Sequence, residues 1–521
     1  MSATSIATSM AKVVIGIPGL TPAEVVAIAR HGATVEISSE ARAAMESSRA
    51  TVDELAASPT PAYGISTGFG ALATKHIDPE MRAQLQRSLI RSHAAGSGEP
   101  VEQEVVRAMM ALRLSTMCTG RTGIRATTAD AYAALLNAQI TPLVREYGSL
   151  GCSGDLAPLS TCALAVMGEG EVRLADGSVV DAGVTLKDAG ISPIEFVAKE
   201  GLALINGTDG MLGMLIMAIS DIDALLKTVD LSTAMSIEAL LGTDQVFAEE
   251  LHALRPQVGQ GLSAQNLRHL LGDSPFVKSH AGHDDTRVQD AYSLRCAPQV
   301  AGAARDTVDH ARLIASRELA SAIDNPVVLP DGRVRSNGNF HGAPVAYVLD
   351  FLAIVIADVA SMSERRTDRM LDKSRSFGLN PFLADDPGVD SGLMIAQYTQ
   401  AGLVSEMKRL ASPASVDSIP SSAMQEDHVS MGWHAGRKLR RAVDAFARVI
   451  AIEIMTAGRA IDMRAPLIPS PGTGAALKVL RTKVQGPGMD RWLTPEIEAT
   501  VEMVKSQALL TAVEREIGEL V

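Results

Sequence analysis

Start and stop signals for helices recur along the chain and leave little room for any other architecture. Thr21-Pro22-Ala23-Glu24 is a complete helix opening: Thr21 caps, Pro22 takes the first helical position where no N–H is needed, Glu24 completes a capping box, and Gly32 stops the helix. Thr494-Pro495 opens another segment, in which Ile497, Val501, Val504 and Ala508 recur with the 3.6-residue period of an amphipathic helix. Between them, Asp221 to Leu241, Asp350 to Leu371 and Gly436 to Arg459 read as long helices rich in Ala, Leu, Ile and Met. Only 3% of residues are aromatic, too few for a sandwich of sheets, whose strands favour aromatic and β-branched side chains. The expectation is a mainly α protein, a long-helix bundle. Minor β-hairpins are expected at Asp176-Gly177 and Asp331-Gly332, each set between short β-prone runs. Pro469 to Gly474 and Gly486 to Gly488 read as loops. The 521 residues divide best near Leu204, with a smaller N-terminal domain over 1–204, where glycine-rich turns dominate, and a helical C-terminal domain over 205–521.

Charge and cysteine usage exclude several function classes. Forty-seven Lys and Arg against sixty Asp and Glu leave a net charge of −13, so the surface repels polyanions and no nucleic-acid partner is expected. No uncharged apolar stretch reaches the roughly 18 residues of a membrane span, and no basic-then-apolar leader opens the chain. A membrane partner is therefore not expected either. Cys118, Cys152, Cys162 and Cys296 lack metal-ligand spacing and are too few for a disulfide framework, which points to a reducing cytoplasm. His280-Ala281-Gly282-His283-Asp284-Asp285 has ligand residue types at no standard spacing. Gly472-Thr473-Gly474 lacks the strand and the Lys of a phosphate loop, and Gln425-Glu426-Asp427-His428 lacks a paired His at helical spacing. Neither a metal nor a nucleotide is expected.

The most unusual stretch is Gly148-Ser149-Leu150-Gly151-Cys152-Ser153-Gly154-Asp155-Leu156-Ala157-Pro158-Leu159-Ser160. Its bland reading is a tight turn before a helix cap. Its chemical reading is backbone cyclisation: the unhindered Gly154 amide nitrogen attacks the Cys152 carbonyl, and loss of water there and from Ser153 leaves a conjugated exocyclic methylidene. Such a group is an electrophile made from the chain itself.

Six further segments accompany it in order: Tyr63 to Gly70 (YGISTGFG), Ser92 to Gly96 (SHAAG), Asn206-Gly207-Thr208, Gln289 to Arg295 (QDAYSLR), Gly338 to His341 (GNFH) and Gln425 to His428 (QEDH). Together the seven resemble the methylidene-imidazolone-containing aromatic amino acid ammonia-lyases, and most nearly the members acting on histidine, of the actinobacterial type with Cys rather than Ala before Ser-Gly. The resemblance implies the fold of the ammonia-lyase and fumarase-like superfamily and a 4-methylidene-imidazole-5-one formed autocatalytically from Cys152, Ser153 and Gly154. It implies non-oxidative loss of ammonia from L-histidine to give trans-urocanate, the first step of histidine degradation. A homotetramer with active sites shared between chains is likewise implied.

Each site residue also has an ordinary alternative. By resemblance Tyr63 is the general base, although a lone Tyr is commonly packed by its ring. Tyr292 orients or activates the ring group, and Asn206 holds it by hydrogen bonding. Arg295, otherwise a solvated charge, grips the substrate carboxylate, for which a guanidinium fork is suited. Gln289 supports that region, and Phe340 forms an apolar wall or simply packs in the core. Glu426 bears on substrate choice: relatives acting on phenylalanine or tyrosine carry Gln there, and a carboxylate facing a benzene ring would lack the N–H that an imidazole offers. His93 is less decisive, being shared by relatives acting on histidine and on tyrosine. Thr161 departs from the pattern, standing where His is usual, and is expected to weaken or retune activity; Thr161→His with unchanged kinetics would remove that idea. The alternatives are a tyrosine or phenylalanine lyase, an aminomutase, or an inactive helical homologue with an uncyclised tripeptide.

Overall fold

The structure, a computed structural model, describes residues 12–68, 77–280 and 288–521. It is mainly α-helical, with strands confined to small sheets of two or three short strands among the described residues. The capping box at Thr21 forms as expected: Glu24 N donates to Thr21 Oγ1 at 3.3 Å, and the Glu24 carboxylate accepts from Thr21 N at 2.8 Å, opening the helix Pro22–Ala29. Both hairpins form, Glu171–Arg173 with Val179–Asp181 and Val327–Val328 with Val334–Arg335. A parallel pair, Lys12–Ile15 with Thr34–Ile37, adds a feature the sequence reading did not mark.

The three long helices run Asp209–Ala239, Ala343–Leu371 and Gly432–Asp462. Two expectations need correcting. Pro469 to Gly474 is not all loop: Ser470 caps a helix over Pro471–Leu480, with Pro471 in the first turn. The C-terminal stripe is not one helix either, because Gln507 adopts φ 58° and separates Thr494–Lys505 from Ala508–Ile517.

The chain forms two compact units, each assembled from separate stretches. The first comprises residues 1–217, 312–349 and 413–437, the second 218–311, 350–412 and 438–521. Leu204, where the sequence reading divides the chain, lies inside the first unit, because the long helices each pass from one unit into the other. In the first unit the helix Gln103–Cys118 is buried from Val105 onward, flanked by Pro22–Ala29 and Ala126–Asn137. In the second, Glu453 is fully buried and takes both arms of Arg366 at 2.5 and 3.0 Å, along with the hydroxyls of Ser232, Ser236 and Ser363. A buried carboxylate is tolerated only when so fully satisfied.

Ala343–Leu371 is long and apolar enough to cross a membrane, with a mean hydropathy of 2.0 over its best 18-residue window. It carries a buried Asp350 bonded to Lys438 at 2.6 Å, the arrangement of a helix packed inside a bundle.

Candidate active site

The Cys152-Ser153-Gly154 tripeptide is held on both sides by the first unit. Upstream, the Gly151 carbonyl accepts from Ser430 Oγ at 2.7 Å and from Gly342 N at 3.2 Å, and the Leu150 carbonyl accepts from Met431 N at 2.9 Å. Downstream, Asp155 is fully buried. Its Oδ1 accepts from Ser149 Oγ at 2.8 Å, and its Oδ2 from the backbone amides of Gly210 and Met211, both at 2.9 Å. Those amides open the Asp209–Ala239 helix, where free N–H groups favour a carboxylate. Asp155 thus pins the residue after the tripeptide to a rigid helix start.

Burial, opposed by those hydrogen bonds, raises the Asp155 carboxyl from its ordinary value near 3.8 to about 7. Between about pH 4 and 7 the unfolded chain releases this proton while the folded chain retains it, so stability falls as pH rises through that window, by at most about 4 kcal/mol. Asp155→Asn keeps an oxygen for the amides and has no proton to release. The expected result is that its Tm relative to the parent rises from about pH 4.5 to about pH 7.5. A constant Tm difference across that range would refute the assignment.

Gly154 has φ +82°, and a Cβ built there would lie 2.2 Å from the Gly207 carbonyl oxygen and 2.4 Å from its nitrogen. Gly207 in turn leaves room for the buried Arg113–Asp209 pair, whose atoms stand 2.2 Å from where its own Cβ would be. Arg113 also donates to the carbonyls of Ala203 and Asn206 at 3.0 and 2.9 Å, fixing the turn that carries Asn206. The Asn206 amide donates to Leu202 O at 3.3 Å. Leu202 packs on Gly64, next to Tyr63, so the Tyr63 and Asn206 turns share one contact residue. Tyr63 is half-buried; Phe69 and Gly70 of its motif lie outside the described residues.

Glu426 stands over the tripeptide. Ser153 Oγ donates to its Oε1 at 2.9 Å, and Cys152 Sγ lies 3.2 Å from its Oε2. Ser421 Oγ donates to the same Oε2 at 2.9 Å, and the two backbones exchange bonds at 2.9 and 3.3 Å. Burial, then the Glu426 charge, pushes the Cys152 thiol up to about 12, which keeps it protonated as a donor. His93 ends the helix Arg82–His93, with Nδ1 on Leu89 O at 2.9 Å. Burial lowers its pKa, and the nearby Glu426 charge opposes that shift. A carbonyl only accepts, so Nδ1 carries the hydrogen and Nε2 of a neutral His93 is an acceptor.

The structure therefore brings together the tripeptide, Glu426 and His93, with Asn206 and Tyr63 on joined turns. Phe340 is half-buried in the same unit. Gln289, Tyr292 and Arg295 belong to the second unit, where Tyr292 is 70% exposed and the Arg295 guanidinium lies 4.6 Å over its ring. Thr161 bonds the Ala157 carbonyl within its own helix at 2.9 Å. Ser421 and Arg113 escaped the sequence reading; Asp155 stood inside the quoted motif, with its role unrecognised. His280 bonds Phe276 O at 2.9 Å, and the His283-Asp284-Asp285 part of its stretch lies outside the described residues. All four cysteines are free, and no cluster of three metal-ligating side chains occurs among the described residues.

The family model for aromatic amino acid lyase matches residues 20–482. Histidine ammonia-lyase from Streptomyces avermitilis is 63% identical over 512 residues, covering 98% of this chain and 100% of that protein. Among solved structures, histidine ammonia-lyase from Trypanosoma cruzi aligns with a TM-score of 0.90 at 39% identity, over 98% of this chain and 96% of that one. Tyrosine aminomutase from Streptomyces globisporus aligns at 0.92 and 36% identity, over 98% and 100%. The chain belongs to the aromatic amino acid lyase family.

Proposed function

We propose that this chain removes ammonia from L-histidine without oxidation, releasing trans-urocanate. The observation that carries the substrate is Glu426: a carboxylate directly beside the tripeptide, 2.9 Å from Ser153 Oγ, offers an acceptor to an imidazole N–H and nothing to a benzene ring. The 63% identity to a histidine ammonia-lyase over nearly the whole chain supports the same reading.

The residues present fit a methylidene-imidazolone made from Cys152, Ser153 and Gly154. Gly154 is confined against Gly207 where no side chain fits, and both flanks of the tripeptide are fixed. When formed, that group supplies a carbon electrophile that takes up the amine or the ring of the substrate. The rest falls to ordinary side chains. Glu426 orients the imidazole, Arg295 binds the carboxylate with support from Gln289, and Phe340 walls the ring. Tyr63 removes the β-proton as the general base. Asn206 and Tyr292 hold the tripeptide-derived group. The second-unit residues reach a neighbouring chain's site in a homotetramer, and two features support this. Tyr292 and Arg295 stand exposed or half-exposed, and Tyr347, Phe351 and Ile354 form an exposed apolar stripe on one helix. Four free cysteines suit a cytoplasmic enzyme.

The test is to incubate the purified protein separately with L-histidine and L-tyrosine and follow the ultraviolet absorbance of the conjugated acid. Urocanate from histidine alone is the expected result. Coumarate would overturn the reading of Glu426, and an intact mass without loss of two waters would overturn the ring.

A further inference from the structure

Two histidines of the quoted motifs, His341 and His428, have no role so far, yet they meet. Their rings stack with centroids 5.3 Å apart and planes 24° from parallel, and Nε2 of His341 lies 3.2 Å from Nδ1 of His428. One nitrogen donates and the other accepts, so at least one ring is neutral.

The pair sits on two loops that already converge at one point. The Gly151 carbonyl, immediately before Cys152, accepts from Gly342 N on the His341 side and from Ser430 Oγ on the His428 side. The His341 loop is rigid. Its amide bonds the Gly338 carbonyl at 3.1 Å, and Gly342 is wedged where a Cβ would meet Met211 Cε at 2.4 Å. The Glu426 loop is tense. Ser422, Ala423 and Met424 hold φ of 51°, 53° and 69°, three successive left-handed non-glycine residues, each of them disfavoured. The turn is closed at Ser421 and Glu426, and the strand of chain is next anchored at Val429, whose amide bonds Ser418 Oγ at 3.0 Å. Between those anchors only Asp427 and His428 remain, both exposed.

We propose that His341 and His428 form a positioning pair: the imidazole–imidazole hydrogen bond ties the strained turn bearing Glu426 to the rigid loop, and so fixes the carboxylate that selects the substrate. The pair acts through Glu426 and touches no reacting atom. The inference rests on the proposed role of Glu426 in binding the imidazole of histidine.

The experiment is a double-mutant cycle with His341→Phe, His428→Phe and the double variant. Intact mass is measured for each, with kcat and KM for L-histidine and kcat/KM for L-phenylalanine. Each single variant is expected to lose two waters as the parent does and to raise KM for histidine about tenfold with little change in kcat. The preference for histidine over phenylalanine narrows accordingly, and the double variant is no worse than either single one. Unchanged KM and preference, a loss in kcat alone, or effects that add would each overturn the pair. Incomplete water loss in the variants would overturn it too, by placing the histidines in ring formation. If the parent turns over phenylalanine but not histidine, the substrate reading fails, and the same cycle on phenylalanine decides the pair by its additivity.

Discussion

Gly154→Ala is expected to leave a folded chain whose intact mass retains both waters and whose ammonia release falls by at least about three orders of magnitude, since enzymatic accelerations span at least about 10⁶. The left-handed φ of +82° costs an alanine about 1–2 kcal/mol. The decisive term is contact, because the added methyl would lie 2.2 to 2.6 Å from the Gly207 backbone oxygen, nitrogen and carbonyl carbon. Gly207 cannot retreat freely, since the buried Arg113–Asp209 pair occupies the space beside it. The tripeptide must therefore move away from its close packing on Gly207, and the methyl also hinders the Gly154 nitrogen that attacks the Cys152 carbonyl. The measurement pairs intact mass with the urocanate assay on one preparation. Full loss of two waters in the variant would refute the claim that close packing on Gly207 drives the cyclisation.

The elements legible in the sequence were those whose signals are local. Thr21, Pro22 and Glu24 lie within one turn and form the capping box that their spacing announces. Both Asp-Gly hairpins close over five-residue connections for the same reason. Sequence signals start the Asp209–Ala239 helix only at Asp221, because its N-terminal amides are satisfied by Asp155, far away in sequence. Likewise the two compact units are each built from non-contiguous stretches, which no linker or composition shift can mark. A single cut near Leu204 is what a search for linkers yields in a chain whose helices run through both units.

At the site, residue types that carry chemistry were visible, and the residues that aim them were not. Glu426 stood out as an acid in a motif, but its contacts with Ser153 and Ser421 depend on a left-handed turn through Ser422, Ala423 and Met424, none of which is a residue that favours that conformation. Arg113 lies in the buried helix Gln103–Cys118, and nothing in its neighbourhood announces a fork gripping the carbonyls of Ala203 and Asn206. Gly207 reads as an ordinary turn glycine until the two neighbours that require it, Gly154 and Arg113, are seen in place.

Glu426→Gln is the second substitution expected to have a large effect, and it separates substrate choice from ring formation. The amide matches the carboxylate in shape, so the turn from Ser421 and the mass loss of two waters are both expected to persist. One oxygen becomes an NH₂, however, and that group cannot accept from Ser421 or Cys152, both of which donate to the carboxylate and keep their donors after ring formation. The remaining oxygen is neutral, so an imidazole N–H exchanges a charge-assisted bond for an ordinary one. A bond to a charged group is worth roughly 1.5–3 kcal/mol and a neutral one roughly 0.5–1.5, so the exchange costs about 1–1.5 kcal/mol and kcat/KM for L-histidine falls by about 5- to 13-fold. The cost of placing a benzene ring against a charge disappears in the same variant, so kcat/KM for L-phenylalanine is expected to hold or rise. Both constants come from one absorbance assay with two substrates. An equal fall for both substrates would mean that Glu426 serves the reaction at large, and a fall confined to histidine assigns it to recognition of the imidazole.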